Sequence, residues 1–233
     1  MFSMQAMCRR ALGALTLVVI GMCGLAVSQA ASSGAAPSAV VTFTLDFPDS
    51  EPAHYSIAVD ANGHATYECT VKVEGSEEQT YRWEFDVTPG NRERMFEWTK
   101  EAKYFSGKID SGNRKLAFTG EKALSYHDGQ RSVTAQYNYS SLEPVRQLTA
   151  LFQSMAGTLD YGRRLTYFHR YQKLALDDEL KRMEAQAKEN ELSEIQGVAP
   201  VLQGIVEDSS VINVVRARAK ELIQMGSGGA AGH

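Results

Sequence analysis

Between Arg163 and Lys173 the chain gathers the side chains best suited to binding: Arg163, Arg164, Tyr167, His169, Arg170, Tyr171 and Lys173. Guanidinium groups grip phosphate, sulfate or carboxylate in a fork, and aromatic faces stack on a cation, a sugar ring or a base. His169 adds a group able to serve as a general base or a metal ligand. The candidate ligand-binding set is therefore Arg163, Arg164, Tyr167, His169, Arg170 and Tyr171. A carboxylate such as Asp46 would turn His169, Arg163 and Arg164 into a hydrolase-like constellation if folding brought them together. The plainer reading is a solvated helix face. Asp160 stands four residues before Arg164, Lys173 four before Asp177, and Asp178 four before Arg182, the spacing at which opposite charges pair along a helix.

Other chemistry-bearing residues point to structure. His169 has no second histidine or carboxylate at metal-ligand spacing on its segment, and no His-Glu-x-x-His occurs. His54, His64 and His127 fall on polar strand faces or beside turns. Asp46, Asp49 and Glu51 crowd a loop around Pro48 and Pro52, without the glycine and regular spacing of a calcium loop. Cys69 lies on an apolar strand face, where a reactive thiol would lack a cationic, partly exposed setting. No Gly-x-Ser-x-Gly elbow, phosphate-cradling loop or dinucleotide fingerprint is present. No catalytic set, metal or cofactor is expected.

The elements that must position these residues are written in the hydrophobic period. Val41, Phe43, Leu45 and Phe47 alternate with polar residues. The pattern recurs at Ala53 to Val59, Ala65 to Val73 and Tyr81 to Val87, as in strands with one buried face. Asn62-Gly63 predicts a tight hairpin between two of them. Thr88-Pro89 opens a helix whose Met95, Trp98, Ala102 and Phe105 would lie on the sheet. Shorter strand-like runs follow at Leu116 to Thr119, Ala123 to His127 and, after the turn signal Asp128-Gly129, Val133 to Tyr137.

From Ser141 the period becomes helical. One helix begins at Pro144, with Leu148, Leu151, Phe152 and Met155 inward, and Gly162 marks a break. A long helix then carries Tyr161, Leu165, Phe168, Gln172, Leu176, Leu180, Met183 and Ala187 to about Glu189. Another carries Leu192, Ile195, Ala199, Leu202 and Val206, bent at Pro200. Asp208 to Ser210 turn the chain into a last helix with Val211, Val215, Ala219 and Leu222. The fold class read from this is α+β. It has an antiparallel sheet with one covering helix (40–140), then an all-helical segment of about four helices including one long one (141–225), and a flexible tail (226–233).

Pro200, Leu202, Asp208, Val215, Arg216, Ala219 and Leu222 look like one helix pair of the HEAT type, with the spacing after Asp208 about two residues longer than in that family. A plain antiparallel helix pair explains them equally well. Residues 115–131 and 147–183 resemble uncharacterised exported bacterial proteins, and the likeness covers most of the mature chain. It implies an extracytoplasmic address and no particular activity.

The N-terminal residues lead to the same compartment. Arg9 and Arg10, the apolar run Ala11 to Val27 and the small residues to Ala31 read as a signal peptide cut after Ala30, followed by a linker over 31–39. An uncleaved anchor is the alternative. Cleavage would remove two basic residues and two of the three cysteines, leaving 22 Lys+Arg against 28 Asp+Glu. A mildly acidic product has no general pull toward nucleic acid or anionic lipid. The expected function is an exported, non-enzymatic binding or scaffold module for a protein or cell-envelope partner. The alternatives are an extracytoplasmic hydrolase around His169 and Arg163/Arg164, and an anionic-glycan binder using the basic aromatic segment.

Overall fold

Six strands form one antiparallel sheet: β1 Val40–Asp46, β2 His54–Asp60, β3 His64–Val71, β4 Gln79–Asp86, β5 Glu121–His127 and β6 Ser132–Tyr137. Their spatial order is β4-β3-β2-β1-β5-β6, so β1 sits in the middle, paired with both β2 and β5. The computed structural model describes residues 38–48, 50–71, 78–113 and 115–229. The expected signal peptide (1–30), most of the linker, Asp49, Val73 and residues 230–233 lie outside the described residues.

The alternation in sequence becomes the two faces of this sheet. Val41, Phe43, Tyr55, Ile57, Val59, Tyr67, Cys69 and Leu124 point inward and are buried, while Thr42, Thr44, Ser56 and Thr66 face outward. Asn62-Gly63 closes the β2–β3 hairpin, with Gly63 at φ 98° where a side chain would be strained. The run Leu116 to Thr119 is a loop, contrary to the strand expected there. The Asn138 side chain bonds Thr119 N–H and Ala117 C=O, and Lys122 Nζ donates to Thr119 C=O, so this backbone finds partners without a ladder.

Among the described residues five α-helices follow the strands or lie between them: α1 Pro89–Glu101, α2 Glu143–Tyr171, α3 Leu176–Lys188, α4 Ala199–Glu207 and α5 Asn213–Gly229. Helix α1 buries Met95 and Thr99. Helix α2 is laid on the inner face of the sheet, where the Phe152 ring stacks on Phe43 at 5.3 Å and 10°. Each such buried aromatic contributes about 1.5–3 kcal/mol by removal from water. One continuous buried cluster runs from Val41 through Phe152 and Leu180 to Leu222, so the strands before residue 140 and the helices after it share a core.

The long helix is placed differently from the sequence expectation. Gly162 does not break it; α2 runs through, and the chain breaks at Gln172 (φ −145°, ψ 59°). Gly162 is needed for contact, because a Cβ there would lie 2.5 Å from Val198 Cγ1. Similarly, α4 starts just before Pro200 instead of bending at it, since a helix's first turn tolerates the missing N–H. The tail expected from Gly226 is helical to Gly229. Gly226 is buried, and a Cβ on it would meet Gln196 N at 3.0 Å. No helix among the described residues is long and apolar enough to cross a membrane.

Candidate ligand-binding cleft

The break at Gln172 decides which way each residue of the basic aromatic segment points. Because α2 ends at Tyr171, Lys173 and Asp177 do not share a helix, and the pairing expected between them is replaced. Lys173 Nζ reaches across to Asp208 Oδ2 at 2.6 Å and Ser210 Oγ at 2.6 Å. Asp177 pairs with Lys181 at 2.5 Å. Arg182 pairs with Glu179 rather than Asp178. Only the Asp160–Arg164 pair forms as the spacing predicts.

His169 turns to the same corner as Lys173. Its Nε2 lies 2.9 Å from Asp208 Oδ2, in the turn between α4 and α5. The Lys173 ammonium, then Ser210 and His169, hold the Asp208 carboxyl well below the usual carboxylate range. Ser210 Oγ donates to Asp208 Oδ1 at 2.7 Å and accepts from Lys173, so its proton is committed to a carboxylate and no base stands ready to take it. This corner is a clamp between α2 and the last two helices.

The two consecutive arginines diverge from it and from each other. Arg164 Nε donates to the buried Glu179 at 2.5 Å, and its guanidinium lies 4.5 Å over the Tyr161 ring. Arg163 turns toward the sheet, bonding Asp160 Oδ1 at 2.8 Å and Glu51 Oε1 at 3.3 Å. Asp46 is elsewhere, 2.5 Å from His54 Nδ1. Folding therefore does not gather His169, Arg163, Arg164 and Asp46 into one site.

It does gather Arg163, Tyr167, Arg170 and Tyr171. These line an open cleft of about 710 Å³ with Thr166, and its opposite wall is the corner of the sheet: Val71 of β3 and Gln79, Thr80 and Tyr81 of β4. Tyr167 and Tyr171 are exposed, with ring centroids 5.2 Å apart. Arg170 lies over the Tyr171 ring at 5.3 Å. Of the cations on α2, it alone has no carboxylate partner among the described residues. Burial pushes the Tyr81 phenol up, with Thr166 and Arg163 offsetting part of the shift, and its shielded hydroxyl makes no well-aligned hydrogen bond.

The sheet-side wall is the part of the site that the residue pattern did not mark. Tyr81 reads as an ordinary strand residue. The available signal was position: β4 is an edge strand, and edge strands offer surface for binding. Among the described residues no group of three or more His, Cys, Asp or Glu could hold a metal ion. No family profile matches the chain, and no curated protein does. The arrangement can hold an anionic group on Arg170 and a flat or ring-shaped group against the tyrosines. Among its described lining residues no nucleophile is paired with a base.

Proposed function

We propose that the chain is an exported, non-enzymatic binding module that engages a protein or cell-envelope component through the cleft between α2 and the β3–β4 corner of the sheet. The observation that carries this reading is Arg170. An exposed guanidinium stacked on an exposed tyrosine, with no carboxylate partner among the described residues, is poised for an external anion. Its neighbours Arg163 and Arg164 are already engaged by Asp160, Glu51 and Glu179. The basic start and apolar run before residue 30 support a place outside the cytoplasm.

A photo-crosslinking residue placed at Tyr167, with a control at exposed Glu221 on the far helix, tests this in intact cells. The expected result is an adduct from position 167 alone that disappears when Arg170→Ala is added. Equal yields from the two positions, or an adduct indifferent to Arg170, would refute the reading.

A further inference from the structure

We infer that the cleft recognises a saccharide carrying a single carboxylate on the bound ring, a uronic acid, in preference to a polyanion or an added peptide strand. The inference rests on the binding-module reading and names its ligand.

Charge balance argues first. Among the described residues the cleft is lined by two cations, Arg163 and Arg170. Arg163 is held by two carboxylates, and the Asp160 it shares with Arg164 belongs to a set in which Arg163, Arg164 and Arg182 face Asp160, Glu51 and Glu179. That set is neutral. Among the described lining residues one unpaired charge remains, on Arg170, which matches one anionic group. A sulfated chain or a nucleic acid would bring several negative charges to a wall whose described residues offer one free cation.

The rest of the lining suits a ring bearing hydroxyls. Tyr167 and Tyr171 present exposed faces for the apolar side of a pyranose. The Gln79 and Thr80 side chains make no internal hydrogen bond among the described residues, leaving an amide and a hydroxyl free for sugar hydroxyls. The volume, about 710 Å³, falls in the range of small-molecule sites, about 300–1,000 Å³.

The edge of β4 argues against a peptide. Further along the strand, Trp83 Nε1 donates to the Gly197 carbonyl at 3.0 Å, which ties the segment before α4 to β4. The cleft reaches only Gln79, Thr80 and Tyr81 of this strand, a short template for strand addition.

Calorimetric titration of the purified chain with a neutral oligosaccharide bearing one terminal uronic acid, its methyl ester and a sulfated heparin fragment tests the inference. The free acid should bind. Esterification and Arg170→Gln should each weaken binding about tenfold or more, the loss of one charge-assisted hydrogen bond. Tyr171→Ala should weaken it several-fold. The plot of log K against log salt should fall with a slope of about −1 or shallower. Arg170→Gln should melt with the parent protein, since it breaks no ion pair. No binding of the free acid, equal affinity for the ester, indifference to Arg170→Gln, or steeply salt-dependent binding of the heparin fragment would overturn it. Binding of an acidic peptide instead, lost in Arg170→Gln, would sink the saccharide and leave the binding module standing.

Discussion

Glu194 holds Thr88 by two hydrogen bonds: the Thr88 N–H donates to Oε2 at 3.0 Å and its hydroxyl to Oε1 at 2.9 Å. Asn91 Nδ2 donates to the same carboxylate at 2.6 Å. Thr88 stands at the start of α1, but its own hydroxyl caps no helix amide, and the first turn contains no acidic residue. The negative charge that favours this helix end is therefore supplied from 106 residues away. Glu194 adopts φ 58° to reach it, a conformation costing roughly 1–2 kcal/mol for a residue with a Cβ. Gln196 Nε2 donates to the Glu194 carboxylate as well, so Glu194→Ala should lose about 2–3 kcal/mol, from four hydrogen bonds and the helix-end charge. A melting temperature lower by roughly 5–10 °C should register this in a calorimeter. Glu194→Gln should fall between the two, and parent-like melting of Glu194→Ala would show the link to be idle.

At Gly162, α2 packs directly against Val198 in the segment before α4. A methyl group placed there would overlap Val198, which is fully buried and has nowhere to retreat. Gly162→Ala should cost about 1–3 kcal/mol by overpacking, even though alanine favours helices more than glycine does. Adding Val198→Ala should recover much of that loss, because the two sites couple directly. Urea unfolding of the two single variants and the double variant measures the coupling. Additive losses would mean that the contact is not the cause.

Acid should unfold the protein through its helical corner. Hydrogen bonds from Lys173, Ser210 and His169 hold Asp208 down. Burial pushes the Glu179 carboxyl up, but Arg182 and Arg164 outweigh it and leave the group below its ordinary value. Lys188, against some burial, does the same for Glu184 with help from Arg218. Each of these carboxylates stays ionised in the fold at a pH where the unfolded chain has begun to take up protons. The stability they contribute is complete above the ordinary carboxylate range and is lost as pH falls through their lowered folded values. The urea midpoint should be flat from about pH 7 to 5 and decline below about pH 4. Lys173→Met should flatten that decline, since Asp208 then titrates nearer to its unfolded value. A slope identical to the parent's would remove Asp208 from the account.

The sheet was legible in the sequence because period-two burial leaves its mark on every residue from Val41 to Phe47 and from Tyr55 to Val59. The strand-like run at Leu116 to Thr119 misled because its partners are side chains, Asn138 and Lys122, which no period encodes. Gly162 misled for a related reason. A glycine inside a helical pattern signals a break or a close contact, and only Val198, brought in from 36 positions later, decides between them. The same limit governs the site. The composition of the 163–173 segment flagged the right surface, and Arg163, Tyr167, Arg170 and Tyr171 do line one cleft. Arg164 and His169 left it because their partners Glu179 and Asp208 lie on α3 and in the turn after α4, and helix spacing alone does not predict such contacts.

Cys69 lies on β3 with its sulfur turned into the core, 1% exposed. Burial pushes its thiol up, and the pull of the Tyr67 hydroxyl and of Arg163 offsets only part of that shift. A thiol above its ordinary range is a poor nucleophile near neutral pH, and this one is also screened from any reagent. Native protein mixed with an aromatic disulfide at pH 8 should therefore release almost no thiolate colour. The same sample in denaturant should react at once. A small residual native rate should be independent of reagent concentration when reagent is in excess, because opening of β3 next to the edge strand then sets the pace. Prompt native reaction at the rate of a free thiol would mean that this corner of the sheet opens readily, and the wall that Val71 and Tyr81 give the cleft could not then be a fixed one.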